Sequence, residues 1–198
     1  VQRQPQLFSA FICVGQMVSP AETDRIFYRD TLAWARESGG TGLVDTLTAS
    51  GPPPYSRMLD YEPALSYEQE VYPYSHAGNS EGPGGMGENI VVGEYTLLEQ
   101  LHIFGSFMDT FSVLYPQIQD LDFRTQATSL DVPVYLVQGR HEAPGRADLA
   151  KQWFALLEAP NKKLVTFDGS GHRPLWEQPA QFHDLLTSTV LAETAPTP

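Results

Sequence analysis

The sequence holds a single cysteine, Cys13, among 198 residues. A lone thiol excludes an internal disulfide framework. It lies in the apolar run LFSAFICVG, where a small buried side chain is expected rather than a reactive one. Basic residues are scarce too. Twelve Lys and Arg stand against 24 Asp and Glu, a formal net charge of -12. That balance argues against nucleic acid and anionic membrane surfaces as partners, because both select basic patches. No run of 18 apolar residues is present, so no membrane-spanning helix is expected. The opening VQRQPQ lacks a basic stretch followed by an apolar one, so it does not read as a secretory leader. It also lacks an initiator Met. The expectation is a cytoplasmic protein, either processed or a piece of a longer chain.

What is present suits a packed domain. Hydrophobic residues make up 41% and charged residues 18%, which is ordinary for a globular chain. The length allows one domain with a real core, or a domain plus a sizeable insertion. Residues 7–14 form a short apolar run bounded by Pro5 and Gly15, which suits a strand buried on both faces. In SPAETDRIFYRDTLAWARESGG, Ser19 can cap a helix and Pro20 suits its first position. Glu22 completes an S-x-x-E capping box, and Gly39 and Gly40 stop the helix. A shorter helix is expected over 43–49, and another over 94–114, ended by Pro116. The glycine-rich stretch 78–87 between them reads as a mobile loop. The final third then alternates. VPVYLVQG (132–139) is a buried strand, and GRADLAKQWFALLEAP carries inward Leu149, Trp153, Phe154 and Leu157. KKLVTFD is a second strand, QPAQFHDLLTSTVLA a closing helix, and ETAPTP a frayed tail. Strand, helix, strand, helix at this spacing predicts a parallel α/β sheet.

In such sheets, reactive groups sit just beyond the carboxyl ends of strands. Two ionisable residues have that placement. Glu142 follows the strand at 134–139, and His172 follows the strand at 162–167 in GSGH. A carboxylate that accepts a hydrogen bond from the Nδ1–H of a histidine fixes its tautomer and stabilises the imidazolium. On pattern alone the plainer alternative stays open, a solvated loop carboxylate and an unrelated loop histidine.

The stretch VPVYLVQGRHEAPGRADLAKQWFALLEAPNKKLVTFDGSGHRPLWEQPAQF resembles the end of an α/β-hydrolase, most of all the prolyl aminopeptidase (proline iminopeptidase) group. There a strand ending in G-R-x-[DE] supplies the acid and S-G-H before a helix supplies the base. By that resemblance Glu142 is the acid and His172 the base, Glu standing where Asp is common. LFSAFICVGQMVSPAETDRIFYRDTLAWA is similar to the sixth core strand of the group and the start of its helical cap. The resemblance implies an α/β fold with the core at 1–15 and 121–198 and the cap at 16–120. It also implies that the nucleophilic serine, the first five core strands and the oxyanion-hole loop lie upstream of Val1.

One stretch imitates a nucleophile. Residues 78–82, GNSEG, match G-x-S-x-G, and the order Ser80, Glu142, His172 matches Ser-acid-His. The elbow needs a strand running in and a helix running out. Here VYPYSHA precedes and GPGGMGEN follows, so Ser80 is not expected to be a nucleophile. His141 and Glu142 begin like H-E-x-x-H, but Gly145 occupies the fifth position and the zinc motif fails. His76, His102 and His183 show no ligand spacing. PPPY at 52–55 fits a polyproline ligand, but such a run more often just ends a helix and turns the chain. The carboxylates Glu22, Asp24, Asp60, Glu62, Glu68 and Glu70 are candidates for a substrate's amino group by the aminopeptidase resemblance, or a solvated acidic face.

Taken together, these features predict part of a serine hydrolase cleaving an ester or an N-terminal, proline-type peptide bond. Its catalytic residues here are His172 and Glu142, with no metal or organic cofactor. Its partners are a small-molecule or peptide substrate and either the N-terminal half of the hydrolase or a second copy of the chain. The competing expectation is a non-catalytic fragment or pseudoenzyme that binds a ligand or partner.

Overall fold

The computed structural model describes residues 1–73 and 93–195. The stretch 78–87, with Ser80, and also His76 fall outside the described residues.

Among the described residues three parallel strands form the sheet: β1 (Phe11–Val14), β2 (Val134–Gly139) and β3 (Lys162–Phe167), in that order. Val134 stands opposite Phe11 on one side and Lys162 on the other. β2 is therefore central, and all 6 of its residues are buried. A strand covered on both faces needs no polar alternation, which is why VYLVQG reads as a nearly continuous apolar run.

β1 is shorter than its apolar run suggests. Residues 5–7 turn into a 3-10 helix, and Leu7 and Phe8 are exposed. The ladder opens with Phe11 N–H donating to Pro133 O, at 2.8 Å. A strand exists only where its neighbour offers partners, and β2 begins at Val134. The upstream residues have no partner across the sheet.

The helices among the described residues include α1 (Pro20–Glu37), α2 (Thr41–Ser50), the short turns α3 (Glu62–Leu65) and α4 (Glu68–Val71), α5 (Leu97–Leu114) and α6 (Phe123–Gln126). All of these lie between β1 and β2. α7 (Pro144–Leu156) connects β2 to β3. After β3 come α8 (Pro174–Glu177), α9 (Pro179–Leu185), a π-helical turn (Leu186–Val190) and α10 (Leu191–Thr194). The closing helix thus runs into the segment expected to fray, held there by Glu193, which accepts from Tyr135 Oη and pairs with Lys163.

The two sheet faces are covered by different helices. On one, Cys13, Val134 and Leu136 pack with Leu149, Trp153 and Leu157 of the α7 segment and with Val18. On the other, the Phe167 and Phe182 rings meet at 6.4 Å and Tyr135 reaches Glu193. This is an α/β fold with a parallel sheet. The helical excursion is tied to it through α1. Thr23 Oγ1 donates to Gly145 O at 2.8 Å, and a Cβ on Gly145 would stand 3.3 Å from Ile26 Cγ2. Close helix packing of this kind uses a glycine where the two backbones meet.

The capping box expected at α1 does not form. Ser19 is the N-cap without a side-chain bond, and Glu22 pairs instead with Arg124. α5 carries the box. Thr96 Oγ1 accepts from Glu99 N–H, and Glu99 Oε2 accepts from Thr96 N–H. Among the described residues no helix is long and apolar enough to cross a membrane.

Candidate active site

β2 ends at Gly139 and the chain turns at once. Glu142 N–H donates to Gly139 O, and Pro144 then starts α7. β3 ends at Phe167, and the loop 168–173 leads to α8. Because β2 and β3 are parallel neighbours in register, both loops leave the same sheet edge. There the structure brings Glu142 and His172 together: His172 Nδ1 lies 2.7 Å from Glu142 Oε2. The Glu142 side chain is 1% exposed, the His172 side chain 42%.

That close approach depends on two glycines. A Cβ on Gly139 would fall 2.1 Å from Gly171 O and 2.3 Å from Ser170 O. Gly15, at the end of β1, has φ +57, and a Cβ there would lie 2.9 Å from His172 Nδ1. Its left-handed backbone and its missing side chain are both used. The histidine loop is stitched to its surroundings by polar bonds. His141 N–H donates to Ser170 O, and Arg140 N–H to Phe167 O.

Two residues that the sequence reading passed over hold the same loop. Glu177 is buried, and its carboxylate accepts from Gly171 N–H and Arg173 N–H. Gln178 Oε1 accepts from Gly169 N–H and Ser170 Oγ. Both sit within the GSGHRPLWEQP stretch. A carboxylate and an amide placed five and six residues beyond the histidine were the available signal. A buried carboxylate must find donors, and here they are N–H groups of the turn.

Electrostatics bind the pair. Glu142 Oε1 accepts from Ala143 N–H at 2.9 Å and from Arg146 Nε at 2.8 Å, which leaves Oε2 for the histidine. Burial pushes the Glu142 carboxyl up. The His172 hydrogen bond and the Arg146 charge outweigh that push, and the net shift is downward. An ionised Glu142 accepts a hydrogen bond from Nδ1–H, and with the proton on Nδ1 a neutral His172 presents Nε2 as a lone-pair acceptor. Among the described residues Nε2 makes no hydrogen bond. The arrangement can take a proton from an incoming hydroxyl or thiol and return it later.

The helical excursion closes over this edge. A cleft of about 280 Å³ is lined by His172 and Arg173 on one side and by Leu65, Glu68 and Glu70 on the other. The candidate carboxylates now separate. Glu22 pairs with Arg124, Asp60 with Arg57 and Glu68 with Arg146. Asp24 is buried and accepts from Tyr115 Oη and Gln119 Nε2. Glu62 and Glu70 line a second, polar cleft beside α2, and of these carboxylates Glu70 borders both clefts. His102 lines a groove along α5, and His183 is exposed on α9. In the PPPY stretch, Pro53 is buried and Tyr55 Oη donates to Gly51 O, so this chain's own packing uses it. Among the described residues no three metal-ligating side chains cluster.

No protein-family model matches the chain. A curated relative, the "Probable aminopeptidase YbaC" of Bacillus subtilis strain 168, is 22% identical over 191 residues, covering 94% of this chain and 59% of that protein. The chain thus spans about three-fifths of the length of this relative. Solved structures with some likeness include an alpha/beta fold family hydrolase from Bacillus anthracis str. Sterne. It is 16% identical, with a TM-score of 0.44, over 91% of this chain and 58% of that one. Another is an alpha/beta hydrolase enzyme from the sediment metagenome of the Mar Chica lagoon, Morocco. It is 14% identical, with a TM-score of 0.38, over 67% of this chain and 68% of that one.

Proposed function

We propose that this chain carries the acid and the base of a serine hydrolase of the α/β-hydrolase type, acting on an ester or on an N-terminal peptide bond. The observation that carries the reading is the 2.7 Å bond between His172 Nδ1 and Glu142 Oε2 at the ends of adjacent parallel strands, beside a cleft. The similarity to a probable aminopeptidase over 94% of the chain supports the substrate class. In this reading residues 16–120 form the cap, and the serine and the oxyanion-binding amides come from outside residues 1–198.

The geometry supports the following roles. His172 Nε2 takes the proton of the serine hydroxyl as Oγ attacks the carbonyl carbon, then delivers it to the leaving amine or alkoxide. Glu142 holds the ring in the required tautomer and stabilises the imidazolium. Water then attacks the acyl-enzyme with His172 again as base, which restores the serine. For an aminopeptidase, the substrate's ammonium needs a carboxylate in the cleft. Glu70 fits that role, since Glu68 is already engaged by Arg146. A proline-type N-terminus is the specific substrate we propose.

The test compares residues 1–198 with a form that includes the proposed upstream segment, assayed on aminoacyl-amide and ester substrates. Turnover is expected only in the longer form, and His172→Ala should lower it by about a thousandfold or more. Turnover by residues 1–198 that is lost on His172→Ala would overturn the proposed site of the nucleophile. No turnover by either form, with ligand binding retained, would favour a non-catalytic binding module.

A further inference from the structure

Arg146 is a charged residue with a side chain only 8% exposed. It stands in the first turn of α7, four residues after Glu142, a spacing that brings the two side chains side by side. Its Nε donates to Glu142 Oε1 at 2.8 Å. The other end of the same guanidinium donates to Glu68 on α4, Nη1 to Oε2 at 3.3 Å and Nη2 to Oε1. Its Cζ lies 5.0 Å from the centroid of the Phe27 ring on α1. A continuous chain of polar contacts therefore runs Glu68, Arg146, Glu142, His172. Its two ends, Glu68 and His172, face each other across the cleft.

A planar guanidinium with donors on both edges can serve two carboxylates at once and still lie on an aromatic face. A lysine would supply the charge without the fork. By occupying Oε1, Arg146 leaves Oε2 as the acceptor for His172. By gripping Glu68, it fixes the wall of the cleft opposite the histidine. We propose that Arg146 is a positioning residue that sets both the orientation of Glu142 toward His172 and the seating of α4 over the cleft. This inference rests on the reading of Glu142 and His172 as acid and base.

A bland alternative is a buried ion network that only holds the fold together. Nitrogen-15 and carbon-13 NMR of residues 1–198 separates the two, without any need for turnover. The Glu142 carboxyl signal is assigned by its loss in Glu142→Gln. In Arg146→Met, the Glu142 titration midpoint should rise by roughly one unit or more, as loss of an adjacent opposite charge requires. The fraction of neutral His172 bearing its proton on Nδ1 should fall. Arg146→Lys should restore most of the midpoint but not the tautomer, since charge survives and the fork does not. Glu68→Gln keeps the Glu142 bond and provides an arm that does not burden the core. There the His172 tautomer should persist, while amide exchange in α4 speeds up by about tenfold with α7 unchanged. An unmoved midpoint and tautomer in folded Arg146→Met, full rescue by Arg146→Lys, or unchanged α4 exchange in Glu68→Gln would overturn the proposal. Failure of the hydrolase reading shows separately, as absent turnover in the longer form with these NMR responses intact.

Discussion

Gly139 and Gly171 meet backbone to backbone: a Cβ on Gly139 would sit 2.1 Å from Gly171 O. No rotamer change relieves such a clash, because the atom in the way belongs to the main chain. Gly139→Ala should therefore push the histidine loop off the end of β2. The expected cost is about 1–3 kcal/mol, as for overpacked sites, and the bond from His172 to Glu142 should be lost. Denaturant unfolding reads the first effect and the His172 nitrogen shifts the second. A variant of unchanged stability with the pair intact would refute this account of the loop.

Asp24 predicts a pH dependence of the opposite sign from most acidic residues. Burial raises its pKa from 3.8 to about 6, against the pull of Tyr115, Gln119 and Arg25. The folded chain then keeps a proton that the unfolded chain releases between those values. The contribution is full below 3.8 and is lost as pH rises through about 6. Asp24→Asn removes the titration while keeping an oxygen for Tyr115 Oη. Relative to the parent, the variant should gain stability from pH 4 upward and level off above 7. The gain is about 1–3 kcal/mol, the upper figure being the whole shift converted. Urea unfolding at both ends of the range is the measurement, and a difference independent of pH would contradict it.

Cys13 should be inert in the folded chain. It is buried, and burial pushes its thiol up to about 12. A disulfide reagent needs the thiolate and a path to it. Labelling in native buffer should be slower than in urea by about a thousandfold or more, from the thiolate fraction alone. Equal rates in both would place the thiol at the surface.

Much of this was legible along the chain. The two strands of the final third, the helix between them, the stops at Gly39 and Pro116, and the strand-end positions of Glu142 and His172 follow from local pattern. Apolar runs bounded by breakers are a short-range signal. The length of β1 was not legible, because its first ladder bond goes to Pro133 and its extent is set by a strand more than a hundred residues away.

The carboxylates show the boundary most clearly. Ser19 with Glu22 and Thr96 with Glu99 carry the same spacing, yet only the second forms a capping box. Among the described residues Glu99 is bonded within its own helix end, to Thr96. Glu22 meets Arg124, 102 residues along the chain, and a charge-assisted pair displaces a local cap. In the same way, sequence put Glu142 at a strand end. Arg146 reaches one of its oxygens from four residues along the chain, but only the parallel packing of β2 against β3, with glycine at the contact, brought His172 to the other. The sequence by itself determined which segments are strands and helices, because backbone propensity and apolar periodicity are local. Tertiary structure decided which ionised groups face one another, because Coulomb and hydrogen-bond partners are chosen by distance in space.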